Sequence, residues 1–227
     1  MSSMSPAPAR RPFRGLQPEE RQQRRREQLI EAGLEVFGAR GFHGVRVRDI
    51  CVQARLTERY FYESFENREA LFLAVYDHAV ARIREAILAA IAASPPDVVQ
   101  TARGGLRAFL ETLRDEPRLA RITLIDVLTV GEDVANQSRL ASRSFADLVR
   151  DIVNHLYPKS DALGLESGLI ANGLVGSTVY LAMQWAFNGF KKPLENVLDH
   201  CVLFYEALVA HAATLQAGAK DSSREAT

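Results

Sequence analysis

Arg59 and Tyr60 lie at the centre of the residues in this chain best suited to chemistry with another molecule. An arginine guanidinium can donate to O6 and N7 of one guanine together, a pair worth about 1–3 kcal/mol against the wrong base. Tyr60 can meet a thymine methyl or a phosphate. Glu58 can accept from cytosine N4, or stand as an exposed acid at a helix start. Thr57 and Tyr62 flank this pair, and Arg46, Arg48 and Arg68 lie on either side within reach of phosphate oxygens. Arg48 is equally readable as a solvated arginine. The chemistry is that of reading base edges from a short segment while surrounding cations hold the nucleic-acid backbone.

Such side chains need a rigid mount, and the flanking sequence supplies one. Val47, Ile50, Cys51 and Ala54 recur at i, i+3, i+4 and i+7, an apolar stripe along about two helical turns. Arg55 and Leu56 make a tight turn. Thr57 has the chemistry of an N-cap for a second short helix carrying Tyr60, Phe61, Tyr62 and Phe65, with Phe61 and Phe65 facing the core. Asn67 caps a longer third helix and Glu69 sits in its positive first turn. The pattern is a helix-turn-helix, whose second helix is shaped to enter a DNA major groove.

At Gly41-Phe42, Val47-Arg48-Asp49-Ile50, Tyr62 with Phe65, and Asn67-Arg68-Glu69-Ala70-Leu71, the chain resembles the TetR family of bacterial transcriptional repressors. The resemblance covers about residues 24–75. It departs from the family pattern at three places. Arg46 stands where a threonine usually caps, Arg55 replaces the turn glycine, and Arg68 replaces a phosphate-contacting lysine. The resemblance implies that Tyr62 holds phosphate and that the last two long helices pair with their copies in a dimer. It further implies that a small molecule in the body shifts the fourth helix and so changes the spacing of two recognition helices.

Charge placement agrees with a DNA-binding end. The chain has 227 residues and zero net charge, yet residues 1–59 carry 12 arginines against 7 acids. The remainder is acidic by the same margin, so a basic end sits on an acidic body. Arg24, Arg25 and Arg26 form a solvated face or contact phosphate. Arg10, Arg11 and Arg14 lie in an unpatterned Pro- and Ser-containing arm, either a DNA-reaching arm or a solubilising tail. Cys51 and Cys201 fall on apolar stripes and read as core residues. The five histidines show no metal-ligand spacing, and no phosphate loop or nucleophile elbow is present, so neither a metal nor a cofactor is expected. No apolar run is long enough to span a membrane, and the expected location is cytoplasmic.

The periodicity predicts an all-α chain of about nine helices. Residues 1–17 form the arm, 18–75 the DNA-binding unit, 76–217 a ligand-binding and dimerisation body, and 218–227 a tail. Helix six is expected from Pro117 through Leu128, helix seven to Leu156 with a stop at Pro158, helix eight over about Leu165–Phe187, and helix nine from Pro193 to before Gly218. Expected pocket residues are Phe109, Leu113, Leu128, Phe145, Val149, Met183 and Trp185, with Asn172, Tyr180 and Gln184 as polar anchors. Leu174, Val179, Val202, Tyr205 and Leu208 are the expected dimer contacts. The function expected is a homodimeric repressor released from an inverted-repeat operator on double-stranded DNA by a small hydrophobic effector. The alternatives are a ligand-independent or activating regulator, and an enzyme or carrier built on a helical bundle.

Overall fold

A computed structural model describes residues 17–156 and 166–225, and the chain is all α among them. The N-terminal unit comprises α1 (Pro18–Arg40), α2 (Val47–Ala54), α3 (Glu58–Ser64) and the start of α4 (Arg68–Ala92). The body adds α5 (Val98–Asp115), α6 (Pro117–Ala120), α7 (Glu132–Leu156), α8 (Ser167–Phe187) and α9 (Leu194–Glu225). The arm with Arg10, Arg11 and Arg14, the Pro158 stop and the Leu165 start lie outside the described residues, as does the His155 side chain.

Pro18 opens α1 with Glu19 and Glu20 in its first turn, and the Gln17 N–H donates to the Glu20 carboxylate at 2.9 Å. Gly41 ends it with φ at 76°, which glycine adopts without a Cβ penalty, and its N–H returns to the Phe37 carbonyl at 2.7 Å. Phe37, Phe42 and Phe72 then interlock beneath the unit, with Phe72 set edge-on to both others at centroid separations of 5.3 Å. Removing one such ring costs about 3–5 kcal/mol, so this cluster fixes the angle at which α2 and α3 leave α1.

The departures of the sequence have local solutions. With arginine at the α2 cap, the Arg46 main-chain N–H donates to the Asp49 carboxylate at 2.8 Å, half of a capping box. That bond, helped by Arg40 at 3.2 Å, holds the Asp49 carboxyl below its usual range. Its contribution is therefore present above the ordinary carboxylate pKa and fades as pH falls through the lowered one. Arg55 takes the left-handed conformation (φ 55°, ψ 38°), and the Leu56 N–H bonds the Cys51 carbonyl at 2.9 Å across the turn. Thr57 has the extended backbone of a cap, but its hydroxyl makes no capping bond, contrary to the expectation from its type. Asn67 does cap α4, accepting from the Ala70 N–H at 2.7 Å.

Helix six is not one continuous helix to Leu128. After Ala120 the chain widens into a π turn over Arg121–Ile125 and tightens into a 3-10 turn over Asp126–Leu128. Within the π turn the Thr123 hydroxyl donates to the Leu119 carbonyl at 2.8 Å, a back-bond that competes with regular helix geometry. α9 passes Gly218, where it was expected to stop, and continues to Glu225. A single glycine costs about 1 kcal/mol in a helix, less than the neighbouring helix-forming residues supply together.

Arg55→Gly should raise stability by about 0.5–1 kcal/mol. It relieves a left-handed non-glycine residue, worth about 1–2 kcal/mol, and gives back part through glycine's entropy. A thermal melt should shift upward by about 1–4 °C. Arg55→Ala, which keeps the Cβ, should gain nothing, and equal gains in the two variants would show that φ is not the source.

Candidate nucleic-acid interface and internal cavity

α3 is amphipathic across its short length. Phe61 is wholly buried and Phe65 nearly so, while Thr57, Glu58, Arg59 and Tyr62 face solvent and Tyr60 is half-buried. Arg59 is 84% exposed, with its Nε donating to the Glu63 carboxylate at 3.0 Å. The Tyr62 ring rests edge-on against Phe61 at 5.2 Å, leaving its outer face open. Arg46 and Arg48 are exposed beside them on the α2 side. Six of the eight residues expected to meet DNA are thus exposed on α2 and α3 or at their starts, and Tyr60 is half-buried.

Arg68 is placed differently. Its guanidinium lies 4.1 Å over the Phe42 ring and donates to the Val45 carbonyl, tying the start of α4 to the loop before α2. Arg24 is exposed, but Arg25 and Arg26 turn inward: Arg25 stacks over Tyr60 at 4.5 Å and Arg26 over Phe65 at 4.2 Å. Sequence spacing gives no sign of either stack, because it depends on how α1 crosses α3.

α8 and α9 each have an inner and an outer face. Leu174, Val202 and Tyr205, expected at a dimer contact, are buried inside one protomer, with Val179 and Leu208 packed against the same core. These five therefore complete the fold of the protomer. The outer face carries Leu169 at 67% and Leu203 at 55% exposure, with Tyr180, Phe187 and Phe204 also open. Gly168, Gly173 and Gly176 lie along it with open space above them. Asn172 and Gln184 stand on this outer face too, and Asn172 bonds the Gly168 carbonyl at 2.8 Å.

Inside the body is a cavity of about 160 Å³. Tyr76, Val80, Ile83, Ile87 and Ile91 line it along α4, opposite Leu106 and Phe109 of α5 and Phe145, Val149 and Ile152 of α7. Val175 and Thr178 of α8, Tyr205 of α9, and Thr123 and Leu124 of the π turn close it. No charged side chain is among the described residues of its wall. Its polar groups are hydroxyls, and four of them form two pairs across helices: Tyr76 with Ser138, and Tyr205 with Thr178. Burial pushes the Tyr205 phenol up to about 12, so it stays neutral.

Of the ten expected pocket residues, Phe109, Phe145 and Val149 line this cavity. The others are placed elsewhere. Leu113 is fully buried in the solid core and Met183 packs at its margin. Trp185 packs on Phe190 and donates its indole N–H to the Lys192 carbonyl at 2.9 Å. Leu128 is 66% exposed at the end of the 3-10 turn, because the change of helix type rotates it outward. Asn172, Tyr180 and Gln184 lie on the outer face of α8. The stripe Val80, Ile83, Ile87 and Ile91 was not among the residues expected at the pocket, although its spacing is visible in the sequence.

One short segment joins cavity and DNA-binding unit. Leu119, Ile122 and Val127 enter the N-terminal core, whereas Ala120 and Leu124 enter the body core. Asp126, only 8% exposed, accepts the Phe42 N–H at 3.0 Å and faces the Arg121 guanidinium at 3.7 Å. Arg118 pairs with Glu35 of α1, and Gly38 admits the close approach, since a Cβ there would collide with Arg118.

Residues 29–75 match the family model of bacterial regulatory proteins of the tetR family. The HTH-type transcriptional activator FasR of Mycolicibacterium smegmatis is 27% identical over 82% of this chain and 84% of its own length. The HTH-type transcriptional repressor DhaR of Mycobacterium sp. is 23% identical over 81% and 92%. In fold, the chain is similar to the transcriptional regulator FadR from Bacillus subtilis in complex with stearoyl-CoA. The TM-score is 0.66 at 18% identity, covering 78% of this chain and 97% of that one. With its helix-turn-helix on the segment that matches the tetR family model and its body similar in fold to such regulators, the chain is a DNA-binding transcriptional regulator similar to those of the tetR family.

Proposed function

We propose that this regulator is a homodimeric repressor that leaves an inverted-repeat operator when a long hydrophobic effector, of the acyl-chain class, fills the body cavity. The observation that carries the reading is the cavity itself. Its uncharged wall follows α4 from Tyr76 to Ile91, about 22 Å at the helical rise, a length suited to an extended hydrocarbon chain. The stearoyl-CoA named for the similar Bacillus subtilis structure supports the same class.

The operator symmetry follows from size. α3 has seven residues and alone offers few base contacts, whereas two copies set about 34 Å apart read successive major grooves. The outer face of α8 and α9 is the surface on which two protomers would meet. A buried apolar face of this kind is typical of an obligate contact. The name of FasR favours a second reading, in which the same operator contact activates transcription. A promoter reporter with and without the protein separates the two by its sign.

Effector and DNA are coupled when each prefers a different arrangement, and the coupling is reciprocal. Thr123 and Leu124 stand in the cavity wall, and Asp126 grips Phe42 a turn-width later. An effector that moves the π turn therefore pulls on the corner between α1 and α2.

In an anisotropy assay on an inverted-repeat duplex, palmitoyl- or stearoyl-CoA should release the wild-type protein. Ala102→Phe, which fills the cavity, should keep DNA binding and lose release. Asp126→Ala should still bind the acyl-CoA by calorimetry, but with a smaller change in DNA affinity on adding it. An unchanged ratio in that variant would sink the proposed link, and wild-type indifference to every acyl chain would sink the effector class.

Leu203→Glu should give a monomer by sedimentation with normal helix content and weak duplex binding. Val202→Glu, which places a charge inside the protomer, should fail to fold. A Leu203→Glu protein that remains dimeric would remove this face from the interface.

A further inference from the structure

We infer that Arg25, on α1, is a positioning residue for base discrimination, fixing the posture of two reading side chains without itself touching DNA. The inference rests on α3 being the recognition helix. The guanidinium of Arg25 covers the Tyr60 ring at 4.5 Å. Its Nη2 lies 3.7 Å from Oε2 of Glu63, whose other oxygen accepts from Arg59 Nε at 3.0 Å. One arginine on α1 thus holds Tyr60 directly and Arg59 through a shared carboxylate.

The arrangement matters because Arg59 is otherwise unrestrained. A freely rotating arginine loses side-chain entropy when it seats on a guanine edge, and a side chain already held in the reading posture loses less. Tyr60 is similar: a cation over its ring restricts the orientations that the ring can take. Arg25 itself is less than a quarter exposed, whereas Arg24, one residue earlier on the same helix, is exposed. The neighbouring Arg26 is occupied by Phe65 and the Ser64 carbonyl. Of the three consecutive arginines, only Arg25 connects to the residues that face bases.

The test begins with duplexes enriched by the wild-type protein from a random-sequence pool, and a scrambled duplex of equal composition. Binding of full-length variants to both is measured by anisotropy across a salt series. Arg25→Ala should lower the preference for the enriched duplex by about tenfold, the scale of one well-made base contact. Affinity for the scrambled duplex and its salt slope should hold. Arg25→Lys, which keeps a cation on the ring, should recover part of the preference, and in a background carrying both Tyr60→Ala and Arg59→Ala, Arg25→Ala should lose most of its effect. A phosphate contact would instead weaken both duplexes alike and lower the salt slope by about one, overturning the proposal. So would a lowered melting temperature with preference intact, which marks a purely structural residue. A wild-type protein that enriches no sequence overturns the recognition-helix reading itself, and it does so before any Arg25 variant is made.

Discussion

The buried carboxylate of Asp126 on the Phe42 N–H is the contact on which the two halves of this protein depend. Burying a carboxylate is expensive unless hydrogen bonds and an opposite charge offset it. Here the offset comes from the N–H of Phe42 and the guanidinium of Arg121. Phe42 cannot form this bond unless Gly41 turns the chain through a positive φ, and its ring then completes the aromatic cluster under α1. The corner before α2, the aromatic core and the π turn are therefore one construction. Loosening any part of it would reach α2 and α3, which pack on α1.

The same economy of position governs α6. Along it and the π turn that follows, neighbouring residues serve different cores, Leu119 and Ile122 the N-terminal one and Ala120 and Leu124 that of the body. A regular helix would place these directions at fixed angles. The widening at Arg121–Ile125 changes them, and π turns are a frequent mark of functional segments. The change also accounts for Leu128, which regular periodicity points inward and the structure turns to solvent.

Much of the DNA-binding unit was legible because its signals are local. Caps, turn residues and a short apolar stripe lie within one or two turns of each other, so Asn67 as a cap follows from residue type and Arg55 as a turn from its place between two short helices. The body was legible only as a set of helices. Which side of α8 faces inward cannot be read from a helix apolar all round: Leu174 and Leu169 are the same residue type, one buried and one exposed. The cavity was hidden for a related reason. Ile83, Ile87 and Ile91 look like core, and only the packing of α5 and α7 leaves a gap beside them. Asp126 gave no signal, because its partner lies 84 residues away in the chain.

The absence of charge from the described cavity wall makes the two ends of the molecule answer to different variables of the solution. Contact with a phosphate backbone releases counterions and weakens steeply as ionic strength rises. Burial of a hydrocarbon among isoleucines and phenylalanines has no such term, and the neutral Tyr205 phenol adds no titration near neutrality. On the proposed reading, ionic strength would act directly on occupancy of DNA, while a hydrocarbon's own affinity for the cavity would carry no counterion term.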